Sequence, residues 1–321
     1  MIRRSLVTLA FAAAVMAATG VTARAADTIN VSAGQKGAWD EMVLQQGVDA
    51  GIFKKAGIEL NISYTAGGPD TIQAVATGGA DMGFGIGTTA VIAAFAKGAP
   101  IKIGSGAFTG TSDLFFYAKS DSPINGVKDF NGKSIGFTRP GSSTYVAEHV
   151  LADENKVTPT YVSTGEMAAT LTQVMSGQVD IGWSVVPVNL DLIAKKQIKI
   201  VARGSEAKAL TTQAVRVNIV NSKWADAHRD ANARFWHAYS DTIDWMYKNM
   251  NLSIANFARY NALTVDEAKV VIPFYPKSAL QLFPIAGFDR SVNDAVTFKF
   301  IPAPLSADQE KAIFDTVFAN K

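Results

Sequence analysis

The sequence predicts an α/β fold of two small lobes, and three observations support this prediction. Its 321 residues suffice for two domains of ordinary size. Apolar strands alternate with helices of about ten residues along most of the chain, which is typical of parallel α/β sheets. In addition, one helix–turn–strand unit occurs twice, at a constant offset of 99 residues.

The repeated unit comprises residues 72–85 and 171–184. Each copy predicts a helix ended by a left-handed glycine, a turn carrying an aspartate, and a strand whose glycine lets another backbone approach. We interpret the unit as present once in each lobe; chance recurrence of a common pattern is the alternative. The identical positions are Val75/Val174, Gly78/Gly177, Asp81/Asp180 and Gly83/Gly182.

Strands and helices follow the same order around each copy. The first part predicts strands at 28–33, 59–64, 81–84 and 101–104, with helices at 39–50, 69–77 and 88–97. The second part predicts strands at 134–137, 160–163, 179–184 and 198–201, with helices at 142–154, 166–176 and 188–195.

Two further apolar runs, 114–118 and 214–220, flank the second part and are predicted to be crossover strands. The chain after them is predicted to be helical and to cover one lobe. The helix at 231–248 carries an apolar stripe, interpreted as core packing, while capping boxes start later helices. The stripe is Phe235, Trp236, Tyr239, Ile243 and Met246, and the boxes are Thr264/Glu267 and Ser306/Gln309.

The first 25 residues have the pattern of a secretory signal peptide. Arg3 and Arg4 precede an apolar run that is too short to span a bilayer, and a small-x-small cleavage site ends at Ala25. Without this segment the chain keeps 27 of its 30 basic residues against 28 acidic ones, so a nucleic-acid partner is not expected. We expect a soluble, unanchored protein in a Gram-negative periplasm.

Several kinds of chemistry have no support in the sequence. The chain has no cysteine, which excludes disulfides, thiolate metal sites and a cysteine nucleophile. Its three histidines lack partners at zinc-ligand spacing, and no Gly-x-Ser-x-Gly elbow occurs. We therefore expect no metal, no cofactor and no catalytic residues.

Several segments together resemble the nitrate/sulfonate/taurine branch of ABC-transporter substrate-binding proteins, which also includes binders of thiamine-pyrimidine precursors. They are residues 51–60, the repeated Gly78-x-x-Asp81-x-Gly83 unit, residues 127–136 and the Gly141–Thr144 segment. The resemblance implies a type II periplasmic binding fold that closes on its ligand like a clam shell. Lobe one would comprise 26–115 and 216–321, and lobe two 116–215.

In open α/β sheets ligands bind outside the carboxyl ends of the strands, so the loops after the strands are expected to line the cleft. Lobe one would offer Gln35, Lys36, Trp39, Gly68, Gly85, Thr88 and Thr89. Lobe two would offer Arg139, Gly141, Ser142, Ser143, Thr144, Trp183 and Ser184.

The loop at 138–144 is the predicted anion receptor. Arg139 supplies a guanidinium, and the two serines open a helix with free backbone N–H groups. Two alternatives remain: the serines only cap the helix, and Arg139 forms a surface or interlobe salt bridge. Trp39, Phe84 and Trp183 either stack on an organic ligand or pack beneath the loops.

The resemblance implies the solute-binding component of an ABC importer, with a permease and its ATPase as partners and no membrane contact of its own. The expected ligand is a small organic anion, a sulfonate or carboxylate, bound by a monomer. A neutral thiamine-pyrimidine precursor and a chemosensory role are alternatives. An enzyme is not expected, because the related thiamine-pyrimidine synthase and aromatic desulfinase use cysteine-containing motifs.

Overall fold

The computed structural model describes residues 26–317, and the predicted signal peptide lies outside them. The strands are β1 Asp27–Ala33, β2 Ile58–Tyr64, β3 Met82–Gly87, β4 Ile101–Thr109, β5 Leu114–Lys119, β6 Ser134–Phe137, β7 Thr160–Ser163, β8 Gly182–Val185, β9 Ile198–Arg203 and β10 Ala214–Asn221.

The α-helices alternate with these strands and then follow one another after β10. They are α1 Val43–Asp49, α2 Ile52–Lys55, α3 Gly68–Ala76, α4 Thr88–Ala96, α5 Ser143–Asn155, α6 Met167–Met175, α7 Leu190–Ala194, α8 Ser222–Ala227, α9 Arg229–Lys248, α10 Met250–Asn261, α11 Val265–Lys269, α12 Phe288–Thr297 and α13 Ala307–Ala312.

Lobe one is built on a five-stranded sheet with the order β2-β1-β3-β10-β4. Strands β2, β1 and β3 are parallel, whereas β10 runs antiparallel to both of its neighbours. Helices α1 to α4 and α8 to α13 belong to this lobe.

Lobe two has the same strand order. Strand β5 pairs antiparallel with β8 and β9, and β6 pairs parallel with β7. A parallel bridge between Ile135 and Ile181 joins these two groups, giving β7-β6-β8-β5-β9. The antiparallel strand of each lobe is a crossover strand, β5 or β10, and the predicted lobe boundaries at 115 and 215 fall within these two strands.

The repeat seen in the sequence is also a structural repeat. Gly78 and Gly177 have φ values of 80° and 77°, the left-handed conformation expected at a helix end. The Asp81 and Asp180 carboxylates accept hydrogen bonds from the backbone N–H groups of Asn30 and Ser134, each at 2.8 Å. Each aspartate therefore fixes its turn to the neighbouring strand.

A pair of threonine hydroxyls extends the repeat beyond the positions noticed in the sequence. The hydroxyls of Thr65 and Thr71 are 2.7 Å apart, and those of Thr164 and Thr170 are 2.6 Å apart. Both pairs keep the offset of 99 residues. The first pair fixes the loop between β2 and α3, and the second pair fixes the loop between β7 and α6. Both loops lie at the edge where the lobes meet.

The predicted apolar stripe of α9 is confirmed as core: Phe235 and Trp236 are fully buried and pack on Phe84 of β3. The capping boxes at Thr264 and Ser306 are confirmed as well. Among residues 26–317, no helix is both long and apolar enough to cross a membrane.

The predicted start of the first helix is wrong. Residues 39–42 form turns, and α1 begins only at Val43. Side-chain contacts account for this difference, because the Glu41 carboxylate turns back to the Gln35 N–H and the Asp40 carboxylate faces Arg216.

Glu148 on α5 supports a prediction about stability. It is buried, neither carboxylate oxygen has a hydrogen-bond partner, and burial raises its pKa well above the ordinary value of 4.5. The folded state therefore binds a proton that the unfolded state loses, so stability should fall as the pH rises above about 4.5. We expect Glu148→Gln to make this fall shallower, by up to about 1.4 kcal/mol per pH unit until the folded-state pKa is passed.

Urea unfolding of both proteins between pH 5 and pH 8 would measure the two slopes. Burying the amide of the variant has a cost that does not depend on pH. The difference between the two slopes therefore reports only on the ionisation of the Glu148 carboxyl group. Glu59→Gln, on the exposed surface of β2, is the matched control. Equal slopes for Glu148→Gln and the unmodified protein would contradict the prediction.

Candidate ligand-binding cleft between the lobes

A small cavity lies between the lobes, at the ends of β1, β3, β6 and β8. Lobe one contributes Gln35, Glu41 and Arg216 among others, and lobe two contributes Ser142 and Trp183 among others. Its volume is about 30 Å³, which is room for one or two water molecules. The lobes therefore have to separate for an organic ligand to enter and bind.

The lobes are in direct contact at one side of this cavity. The Thr89 hydroxyl at the start of α4 donates a hydrogen bond to the Gly141 carbonyl across the cleft, at 2.9 Å. A Cβ atom at Gly87 would lie only 2.5 Å from the same carbonyl oxygen. Glycine at position 87 is therefore required for this close approach of the two backbones.

The lobe-two wall is the loop 138–144 and the start of α5. The Ser142 hydroxyl caps α5 by accepting from the Tyr145 N–H at 3.2 Å, and it lies 2.8 Å from the Thr144 hydroxyl. Thr144 in turn accepts from the Thr138 N–H at 3.1 Å. These hydroxyls hold the loop in shape, while the backbone N–H groups of the first helical turn have no intrahelical partner.

The lobe-one wall contains Glu41, which is 8% exposed. One carboxylate oxygen accepts from the Gln35 N–H at 2.6 Å. The other lies against Gly85, where a Cβ atom would be 2.5 Å away. Burial and the nearby Asp40 raise the pKa of Glu41 well above its ordinary value.

A buried ion cluster forms the floor beneath Glu41. The Arg216 guanidinium lies 2.7 Å from the Asp113 carboxylate and 3.3 Å from that of Asp40. Burial raises the pKa of Asp40 to about 6, although Arg216 acts in the opposite direction. One guanidinium therefore pairs with two carboxyl groups, Asp40 and Asp113, while the neighbouring Glu41 lies beside this cluster without an ion pair among the described residues.

Half of the residues predicted from the sequence line the cavity: Gln35, Gly68, Gly85, Ser142, Ser143, Thr144 and Trp183. Trp183 is buried in the core of lobe two and is also one of the residues that line the cavity. Whether these residues contact a ligand remains a prediction.

Arg139 does not line the cavity. Its side chain is 42% exposed, and the guanidinium lies 3.6 Å from the Asp70 carboxylate at the start of α3. Asp70 belongs to lobe one and Arg139 to lobe two, so this is the interlobe salt bridge that the sequence left open as an alternative.

The remaining predicted residues also lie outside the cavity lining, among the residues described. Lys36 is exposed, and Trp39 is fully buried against Phe257. Phe84, the third aromatic considered, is buried in the lobe-one core. The hydroxyls of Thr88, Thr89 and Ser184 donate to the carbonyls of Ala214, Gly141 and Val188, respectively.

The cavity residues that the sequence analysis missed are above all Glu41 and Arg216. Glu41 was assigned to a helix by its apolar spacing, and Arg216 to a crossover strand. A usable signal was present: Arg216 is a lone cation in the apolar run 214–220, and a charge in a buried strand needs a buried partner.

Two α/β lobes with one strand order, two crossover strands and a cavity between them define the fold of the periplasmic binding proteins. Solved structures of that class are similar to the structure of this chain. The alkanesulfonate-binding protein SsuA from Xanthomonas axonopodis pv. citri, bound to MOPS, has a TM-score of 0.72 at 18% identity, over 88% of this chain and 97% of that one.

Two further structures give comparable matches. The aliphatic sulphonate binding protein SsuA from Escherichia coli has a TM-score of 0.65 at 16% identity, over 88% of this chain and 91% of its own. The nitrate-binding protein NrtA from Synechocystis PCC 6803 has a TM-score of 0.71 at 11% identity, over 90% of this chain and 85% of its own.

Residues 44–251 match the family model described as NMT1/THI5 like. The chain therefore belongs to the NMT1/THI5-like family. A comparison with curated protein sequences gives no match.

The ion cluster gives a prediction for the cleft floor. Arg216→Met removes the only guanidinium of the cluster and leaves Asp113 and Asp40 buried without it, so we expect a loss of about 3 to 5 kcal/mol in unfolding free energy at pH 8. The loss should be smaller at pH 5, where Asp40 can take up a proton.

Chemical denaturation at the two pH values measures this effect. Arg259→Met is the matched control, because the Arg259 side chain is 63% exposed and its pair with Asp49 should contribute at most about 1 kcal/mol. An equal loss in both variants would show that the buried cluster has no special role.

Proposed function

We propose that this protein is the periplasmic solute-binding component of an ABC importer. It would capture a small organic anion, a sulfonate or carboxylate, between its lobes and deliver it to a membrane permease with a cytoplasmic ATPase. The observation that carries the proposal is the interlobe cavity at the carboxyl ends of the strands, lined by both lobes. The signal peptide pattern and the family membership support it.

The proposed mechanism is closure around the ligand. A ligand that contacts lobe one through the loop after β1 and lobe two through the start of α5 makes both sets of contacts only when the lobes are together. It therefore stabilises the closed arrangement by its differential affinity. The Thr89 to Gly141 hydrogen bond and the Arg139 to Asp70 ion pair would form in the same step.

Two features of the cavity wall support an organic ligand with a charged or polar head. The first turn of α5 presents backbone N–H groups at the positive end of the helix dipole. Trp183, Leu114 and Val185 supply the apolar part of the cavity wall, against which an organic body could pack. A bare inorganic ion would leave this apolar surface unused.

A neutral thiamine-pyrimidine precursor is a second candidate, and one observation favours it: Arg139 pairs with Asp70 outside the cavity, so no unpaired guanidinium faces the ligand. For catalysis we propose no residue, since among the described residues that line the cleft no hydroxyl is hydrogen-bonded to a side-chain base. A monomer that releases its ligand to the permease is consistent with this function.

The proposal is tested with a panel of compounds in thermal unfolding, using protein freed of carried-over ligand by unfolding and refolding. The panel contains alkyl and aryl sulfonates, carboxylates, nitrate and aminopyrimidines. A ligand at about 100 times its dissociation constant should stabilise the protein by about 2.7 kcal/mol. Stabilisation by sulfonates or carboxylates is the expected result, and stabilisation by pyrimidines alone would favour the second candidate.

Closure itself is tested by Gly87→Ala. The added methyl group would meet the Gly141 carbonyl when the lobes close, yet it should not disturb lobe one, because Gly87 has an ordinary φ of −53°. We expect the affinity for the stabilising compound to fall by about tenfold or more, because the closed state becomes rare.

Gly126→Ala is the control, since no atom lies within 4 Å of a Cβ at that position. Calorimetric titration gives the affinities, and small-angle X-ray scattering with ligand should show a larger radius of gyration for Gly87→Ala. Wild-type affinity in Gly87→Ala would exclude the proposed closure.

A further inference from the structure

We infer that Glu41 is a specificity-determining residue, which selects ligands carrying a hydrogen-bond-donating nitrogen, such as an ammonium, amidinium or ring amino group. This inference rests on the proposed function and names the ligand chemistry of the same cleft more closely. The resulting ligand is dipolar, with its donor end toward lobe one and its acceptor end toward lobe two.

The first step is the position of Glu41. Its carboxylate is more than nine-tenths buried and lines the cavity in the loop after β1. The bond from the Gln35 N–H and the close packing against Gly85 hold the side chain in place. A ligand in the cavity therefore meets a carboxyl group in a fixed position.

The second step is the charge balance around it. Asp113 and Asp40 both pair with Arg216, at 2.7 Å and 3.3 Å. Among the residues that the structure describes, Glu41 has no ion pair, and its only hydrogen bond comes from the Gln35 backbone. A buried carboxylate with so little compensation is costly unless a donor or cation approaches it.

The third step is the effect of this wall on simple anions. Burial raises the pKa of Glu41, and the oxygens of a bare sulfonate, carboxylate or nitrate beside it would make its ionised form more costly still. Arg216 already pairs with two aspartates and does not offset this cost. A ligand nitrogen that donates to Glu41 stabilises the carboxylate and satisfies its free acceptor. Specificity of this kind is strong, because the wrong ligand leaves a buried polar group unpaired.

The opposite wall completes the dipolar arrangement. The first turn of α5 carries the positive end of a thirteen-residue helix, and Ser143 and Thr144 line the same cavity. The cavity therefore has a carboxyl group on its lobe-one side and helix N–H groups on its lobe-two side. A ligand with a donor at one end and an acceptor at the other matches both.

The experiment compares ligand pairs that differ only in one nitrogen. The pairs are 2-aminoethanesulfonate with ethanesulfonate, 3-aminopropanoate with propanoate, and 4-aminopyrimidine with pyrimidine. Affinities are measured by calorimetric titration for the unmodified protein, Glu41→Gln and Gly87→Ala. Glu59→Gln is the matched control, because it makes the same substitution on the exposed face of β2.

The expected result is that, in at least one pair, the compound with the extra nitrogen binds and the compound without it binds at least about tenfold more weakly. Glu41→Gln should lose about tenfold or more for that member, whereas Glu59→Gln should keep the affinity. Equal binding of both members of each pair, or unchanged affinity in Glu41→Gln, would overturn the inference. If either outcome occurs and Gly87→Ala still weakens binding, the proposed function stands without a role for Glu41 in specificity.

A second measurement does not depend on the choice of compounds. Protein isolated from a periplasm is unfolded, and the released small molecule is identified by mass spectrometry. A molecule without an N–H donor would overturn the inference but not the proposed function. A protein that carries no molecule and binds no member of any pair would contradict both.

Discussion

The floor of the cleft depends on one buried interaction, the pairing of Arg216 with Asp113 and Asp40. Arg216 lies on the crossover strand β10, Asp113 lies just before the crossover strand β5, and Asp40 lies in the loop after β1. The guanidinium also stacks over the Phe108 ring at 4.6 Å. Removing ions from water costs several kcal/mol each, so the three charged groups stay together, and they hold both crossover strands and the cleft floor in one place.

The same cluster gives the cleft its electrostatic character. Asp40 and Asp113 pair with one guanidinium and Glu41 lies beside them, so the lobe-one side is rich in carboxyl groups. Burial raises the pKa values of Asp40 and Glu41. The lobe-two side offers the start of α5 instead of a free cation, because Arg139 pairs with Asp70. The cleft is therefore polar across its width, with opposite character on its two walls.

Much of the fold could be predicted because it repeats. The offset of 99 residues located one helix–turn–strand unit in each lobe, and the structure extends the repeat to the paired threonines and to the strand order. The aspartate-to-strand bonds at Asp81 and Asp180 show why those residues recur. The start of the first helix was missed, since the contacts of Asp40 and Glu41 with distant partners outweigh the apolar spacing of residues 39–42.

The sequence by itself determined the class of fold, the two lobes, the crossover strands and the loops that approach the cleft, because these follow from local periodicity and an internal repeat. Only the tertiary structure decided which side chains face the cavity. Arg139 is directed to Asp70 and Trp39 to the core, while Glu41 and Arg216 meet at the cavity although they are 175 positions apart. Partners so distant in the chain are chosen by packing and charge neutralisation, which no local pattern encodes.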